Sequence, residues 1–170
     1  RPWVLCEGDE ARRAQVRGFV QELGGIPVDM GALEHDQTVA LVSHLPQVVA
    51  SISAARLGDA SPEALSLAGA GIRDVTRIAA SDPALWVQIL SANSDAVIPH
   101  LRAVTDNLES LIAALQDLSV SGARATIAST LQQGVAGVSQ LPGKHGISSE
   151  LASLLVVIDD TPGQLAKLLT

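Results

Sequence analysis

The feature that most constrains this chain is a run of apolar residues, Val97, Leu101, Val104, Leu108, Leu111, Leu115 and Leu118, spaced alternately by four and three. Side chains three and four apart share one face of an α-helix, so the run lays an apolar seam along a long helix. A seam of that period packs against another helix at a shallow angle. Two partners satisfy it: the stretch 122–141 folded back as an intramolecular hairpin, or a second copy of the chain. Interrupted helices in such number fit an interlocked helical dimer at least as well as a lone bundle.

Composition narrows the class. The 170 residues are 47% hydrophobic, which makes a folded globular chain, and one of this length buries roughly 70% of its unfolded surface. A net charge of −7, with no dense Lys/Arg cluster, argues against a nucleic-acid partner. Cys6 is the only cysteine, so no internal disulfide forms and a reducing cytoplasm is expected. No signal peptide is recognisable and the apolar runs read as too short to span a bilayer, so no membrane partner is expected.

Both ends read as pieces of neighbouring domains. Trp3-Val-Leu-Cys6 reads as a short buried strand, Gly8-Asp9 as a helix cap, and Val16, Phe19, Val20 and Leu23 recur at helical spacing. Gly24-Gly25 ends that helix and Ile26-Pro-Val-Asp29 reads as a second strand. Such a unit needs more sheet to pair with, so it is expected to close a larger α/β domain. Residues 151–158 read as a strand, Asp159-Asp-Thr-Pro-Gly163 as a turn, and 164–169 as the start of a helix.

Between the ends nearly everything reads as helix. The first runs from about 32 to 56 and contains Pro46, whose missing N–H deletes the bond to the Val42 carbonyl and is expected to kink it. A break at 58–62 leads into a second helix, 62–69. Gly69 and Gly71 bracket a bend, either a plain turn or a place where backbone closely approaches a ligand. Ser81-Asp82-Pro83 and Asn93-Ser94-Asp95 each read as helix starts, and a last helix covers 122–141 before Pro142-Gly143.

Polar residues in these apolar surroundings are the candidates for function. In Gly71-Ile-Arg-Asp-Val-Thr-Arg77, Arg73 and Arg77 lie four apart on one helix face with Asp74 beside them. Two readings stand: an anion-binding pocket for a small carboxylate, or an internal Arg–Asp pair on a solvated face. His35-Asp36 invites a metal-phosphohydrolase reading, but His44 lies nine residues on and off that face, and no His-Glu-x-x-His or cysteine cluster accompanies it. No Gly-x-Gly-x-x-Gly, Walker loop or Gly-x-Ser-x-Gly elbow occurs.

Four blocks, Glu34-His-Asp-Gln37, Ser43-His-Leu-Pro-Gln47, Gly71-Ile-Arg-Asp-Val-Thr-Arg77 and Ser81-Asp-Pro-Ala-Leu-Trp86, resemble in order and distance the C-terminal half of prephenate dehydrogenase. The resemblance covers about residues 1–140. Val156-Val-Ile-Asp-Asp-Thr-Pro-Gly-Gln-Leu-Ala166 resembles the opening of an ACT regulatory domain. It implies a mainly α fold in which 1–34 is the last strand–helix–strand of a Rossmann-type nucleotide-binding domain. Residues 35–145 would be an all-helical dimerisation and substrate-binding domain, like the C-terminal domain of 6-phosphogluconate dehydrogenase, and 151–170 the start of an ACT-like domain.

The implied chemistry is oxidative decarboxylation of prephenate to 4-hydroxyphenylpyruvate in tyrosine biosynthesis, with hydride passing to NAD, or to NADP. By the same resemblance Arg77 matches the family's substrate-carboxylate arginine and His44 a histidine at the substrate pocket. Gly71, Arg73, Asp74 and Trp86 match pocket-wall or dimer-contact positions. Gln47 stands where many members have a second histidine and Arg73 where some have lysine, which bears on whether prephenate or arogenate is preferred. The family's catalytic histidine and nucleotide loop lie upstream of these positions, so no catalytic residue is assigned here and the chain alone is expected to be inactive. A homodimer and an aromatic amino-acid effector are further implications. The rivals are a non-catalytic helical dimerisation module and, more remotely, a metal hydrolase.

Overall fold

A computed structural model describes residues 1–141; the expected strand, turn and helix of 151–170, and with them the ACT-like segment, lie outside the described residues. The chain divides into two compact units, 1–109 and a second that begins at Ser110.

The first unit opens as expected. Strand β1 (Pro2–Leu5), helix α1 (Glu10–Glu22) and strand β2 (Ile26–Asp29) follow in order, and the strands pair in parallel with Pro2 opposite Ile26 and Leu5 opposite Asp29. The Asp9 carboxylate caps α1 by accepting from Arg12 N–H at 3.0 Å. Gly24 leaves the helix at φ +71°, the left-handed region that glycine enters without a Cβ penalty. Gly25 allows a close approach: a Cβ there would stand 2.8 Å from Val20 Cγ1, and Val20 is fully buried. The strand was expected to be buried, yet Trp3 and Val4 stay exposed. A two-stranded sheet has too little around it to cover both faces.

Two side-chain clamps tie this piece together. Asp29 accepts from Arg13 Nη2 at 2.5 Å and from Arg17 Nη2 at 2.5 and 2.7 Å, joining the end of β2 to α1. Glu7 Oε2 accepts from the Ala32 backbone N–H at 2.9 Å, filling an otherwise open donor in the first turn of the next helix.

That helix is α2 (Ala32–Val39), which continues through a π-helical turn (Ala40–His44) into α3 (Leu45–Ala55). The disturbance expected from Pro46 takes this form: the Leu45 N–H reaches the Ala40 carbonyl, five residues back. The widened turn places the proline where its absent N–H leaves no gap in a regular α ladder. Taken as one helical run, Ala32–Asp59 has a mean hydropathy of 1.4 over its most apolar window and is long enough to cross a bilayer, contrary to the expectation from sequence. The same run carries buried His44 and Gln47, which a span in lipid accommodates poorly.

A 3₁₀ turn (Arg56–Asp59) leads to the short helix α4 (Pro62–Ser66), capped by Ser61, and then to α5 (Ala70–Thr76) and a second 3₁₀ turn (Arg77–Ala80). Helix α4 stops three residues before the expected Gly69. Gly71 lies inside α5 rather than at a bend, and a Cβ added there meets nothing within 4 Å. Helix α6 (Pro83–Ala92) starts as anticipated, with Asp82 accepting from Ala84 N–H at 3.0 Å and proline in first position. Helix α7 (Ser94–Gln116) follows directly. Helix α3 packs against α5 and the turn Arg77–Ala80, with Ala40, His44, Gln47 and Ala50 buried along the run.

The second unit contains the end of α7 and helix α8 (Ala123–Val138), which is entered through Gly122 at φ +90°. Val97, at the head of the seam, is buried, whereas Leu108 and Leu115 are 53% and 55% exposed. Leu118 falls beyond the end of α7. The apolar period is therefore real, but Leu108, Leu115 and Leu118 keep about half their surface in water, and Leu111 is partly covered.

Candidate functional site

The π-turn decides where His44 points. In an unbroken α-helix, Asp36 and His44, eight residues apart, would differ by about 80° around the axis. One extra residue in a π-turn brings them to about two whole turns apart, on one face. Asn93, in the corner between α6 and α7, spans that face: its Nδ2 donates to the Asp36 carbonyl at 2.8 Å and lies 3.2 Å from His44 Nδ1. The His44 and Trp86 rings also meet edge to face, with centroids 6.0 Å apart and planes at 84°. Burial lowers the imidazole pKa, a charge on His35 lowers it further, and Asp36 opposes both.

Trp86 and Gln47 line a cavity of about 410 Å³ together with Val48, Ser51, Ile52 and Leu90. Its walls come from α3, α6 and the turn before α6. They are mostly aliphatic, and Gln47, Ser51 and Ser81 supply the polar side chains. Gln47 is buried and its Nε2 donates to Ser51 Oγ at 3.4 Å. An apolar slot with a few fixed polar groups is what a small organic ligand with a ring requires.

The structure thus brings Gln47 and Trp86 together at the cavity, while His44 touches Trp86 and is not itself among the lining residues. The α5 residues stand apart from this cavity. Gly71, Arg73, Asp74 and Arg77 are all exposed and none is among its lining residues. The Arg73–Asp74 pair offered as one reading of the sequence does not form. Arg73 Nη2 donates instead to the Ala68 carbonyl at 3.4 Å. Adjacent residues on a helix project about 100° apart, which keeps those two side chains from facing each other. The Arg77 side chain, at the head of the 3₁₀ turn, makes no hydrogen bond or ion pair among the described residues, so its five donors are open to a ligand.

Asn93 and Ser51 join the site without having been singled out in the sequence. Asn93 read only as a helix start, and no local signal connects it to a histidine 49 residues away. His35 Nδ1 lies 3.0 Å from Asp36 Oδ1, and no group of three metal-binding side chains occurs among the described residues. Nor does a glycine-rich strand-to-helix turn, so the described residues do not fit a dinucleotide cofactor.

Residues 32–133 match the family profile described as prephenate dehydrogenase, dimerization domain. A Streptomyces niveus protein named "Probable prephenate dehydrogenase NovF" is 33% identical over 179 aligned positions, taking in 99% of this chain and 49% of that protein. Among solved structures, Synechocystis arogenate dehydrogenase is similar at a TM-score of 0.60 and 26% identity, over 81% of this chain and 52% of that one. The A. aeolicus prephenate dehydrogenase in complex with hydroxyphenyl propionate and NAD+ shares the fold at a TM-score of 0.61 and 24% identity, over 79% and 49% of the two chains. The chain spans about half or less of the length of the curated relatives it matches.

Proposed function

The chain belongs to the prephenate dehydrogenase family through its dimerization domain, and on that premise we propose that the complete protein converts prephenate to 4-hydroxyphenylpyruvate by NAD-dependent oxidative decarboxylation. The observation that carries this reading is the meeting of Gln47 and Trp86 at one cavity inside the matched segment, with the His44 ring against Trp86 behind it.

Loss of carbon dioxide aromatises the ring, so the protein chiefly has to hold two carboxylates and polarise the ring hydroxyl. This chain's share is binding. Arg77 is assigned to a substrate carboxylate, which a guanidinium grips through two parallel hydrogen bonds. His44 and Gln47 contribute polar contacts, and Trp86 a flat wall for the ring. Arg73, Asp74 and Gly71 are assigned to the pocket rim or the subunit contact. NAD, or NADP, accepts the hydride and is held by protein other than the described residues. Residues 1–34 would close that nucleotide-binding domain and 35–145 form the helical domain.

The same reading makes the protein a cytoplasmic homodimer. The family's dimerization domain and the half-exposed seam residues Leu108 and Leu115 support it. An aromatic amino acid acting through the ACT-like segment 151–170 would control it. Arogenate is the second substrate to test, favoured by Gln47 in place of a histidine. The likeness to Synechocystis arogenate dehydrogenase also supports it.

The test is NAD reduction by the complete protein, offered prephenate and arogenate separately. Turnover of either supports the enzyme. A folded dimer that turns over neither is a helical dimerisation module instead.

A further inference from the structure

We infer that Asn93 is a positioning residue: it holds His44 as the neutral tautomer with its proton on Nε2, so that the ring offers that N–H to an oxygen of the ligand. The ligand half of this inference rests on the pocket reading above.

The backbone of Asn93 is pinned at both ends, its N–H on the Ile89 carbonyl and its own carbonyl on Val97 N–H, each at 3.2 Å. Its side chain reaches back to the π-turn, where Nδ2 donates to the Asp36 carbonyl at 2.8 Å. A carbonyl only accepts, so this bond fixes which end of the amide is the nitrogen. The second hydrogen of the same NH₂ group is then the one that meets His44 Nδ1 at 3.2 Å. A ring nitrogen that accepts a hydrogen bond carries no proton, and the neutral imidazole must hold its hydrogen on Nε2.

Two further observations agree. His44 Nε2 has no partner among the described residues, yet the only buried, unpartnered side-chain nitrogen or oxygen there is Arg13 Nε, so Nε2 opens to solvent-reachable space. The edge contact with Trp86 fixes the ring plane. Burial also lowers the imidazole pKa, which favours the neutral form the geometry requires. Nδ1 is thus spent on the scaffold and Nε2–H is left for a ligand oxygen.

Nitrogen NMR of the complete protein labelled in its histidines tests this, with His44→Asn identifying the resonance. The expected spectrum shows His44 protonated on Nε2 at neutral pH, and reading it requires no Asn93 variant to fold. Asn93→Asp presents an acceptor to Nδ1 and should move the proton there, raising KM for the substrate by about 10- to 100-fold with a smaller change in kcat. Asn93→Ala should leave a mixture of tautomers and an intermediate KM. A wild-type ring protonated on Nδ1, or mixed, overturns the inference. A switched tautomer with unchanged KM overturns the link to the ligand. Nε2–H in a protein that turns over neither prephenate nor arogenate defeats the pocket reading while the tautomer stands.

Discussion

The rings of His44 and Trp86 meet edge to face, centroids 6.0 Å apart and planes at 84°, and so couple the π-turn of the first long helix to α6. The positive rim of one ring lies against the negative face of the other, an arrangement worth about 0.5–1.5 kcal/mol beyond area burial. Trp86 is half-buried and also walls the cavity. Trp86→Ala should therefore lower stability by about 1–3 kcal/mol, and Trp86→Phe by less than half of that. Urea midpoints of the complete protein at fixed concentration measure both. An unchanged midpoint for the alanine variant would show that α6 is held by its other contacts.

Arg77 should behave in the opposite way. It has no partner to lose among the described residues, so Arg77→Ala should change stability by no more than about 0.5 kcal/mol. Its cost should fall on substrate: kcat/KM lower by the equivalent of about 2–5 kcal/mol, with Arg77→Lys recovering only part because the bidentate grip is gone. Steady-state kinetics decide it, and a normal kcat/KM in the alanine variant removes Arg77 from the site.

How far the sequence announces this structure depends on the range of the interaction. The caps at Asp9 and Asp82 were readable, because a cap involves one side chain and a donor two or three residues on; Ser61, inside what read only as a break, caps its helix in the same way. The β–α–β opening was readable for the same reason, through its turn glycines and apolar spacing. Pro46 announced a disturbed helix but not a π-turn, since a missing N–H is met equally by bending or by widening and the surrounding packing selects. The consequence of that choice, Asn93 bridging Asp36 and His44, was beyond any local pattern. Gln47 and Trp86 were named through a family likeness. Their meeting at one cavity depends on how α3 packs against the turn before α6. The seam gave its period plainly and its partner not at all, because a period specifies a face and leaves open what covers it.

Acid should destabilise the fold in two stages. His44 has a pKa lowered mainly by burial, so the folded protein binds that proton more weakly than the unfolded chain does. Its contribution is whole above the ordinary imidazole value near 6.5 and is lost as pH falls through the lower folded value. Asp29 is lowered by its bonds from Arg17 and then Arg13, and Glu7 by its own backbone N–H and then that of Ala32. Their contributions persist until pH falls below the usual carboxylate range. Thermal midpoints between pH 8 and pH 3 should show an early loss that His44→Gln abolishes and a later one that it leaves in place. An early loss that survives in that variant assigns it to another group.

Gln47 carries the substrate question. Ser51 Oγ takes one Nε2 hydrogen of Gln47, at 3.4 Å, which leaves the other N–H as a donor and the side-chain carbonyl as an acceptor. An acceptor suits the ammonium group of arogenate, whereas the keto oxygen of prephenate in the same place needs a donor. Histidine at this position offers an N–H. Gln47→His, which presents an N–H in place of that carbonyl, should therefore raise the ratio of kcat/KM for prephenate over arogenate by about 2- to 10-fold, the equivalent of about 0.5–1.5 kcal/mol, the range of one hydrogen bond lost to arogenate. NAD reduction with each substrate, on a variant whose thermal midpoint matches the parent, gives that ratio directly. A ratio that does not move places Gln47 away from the substrate's side chain and returns the choice of substrate to Arg73 and the rim.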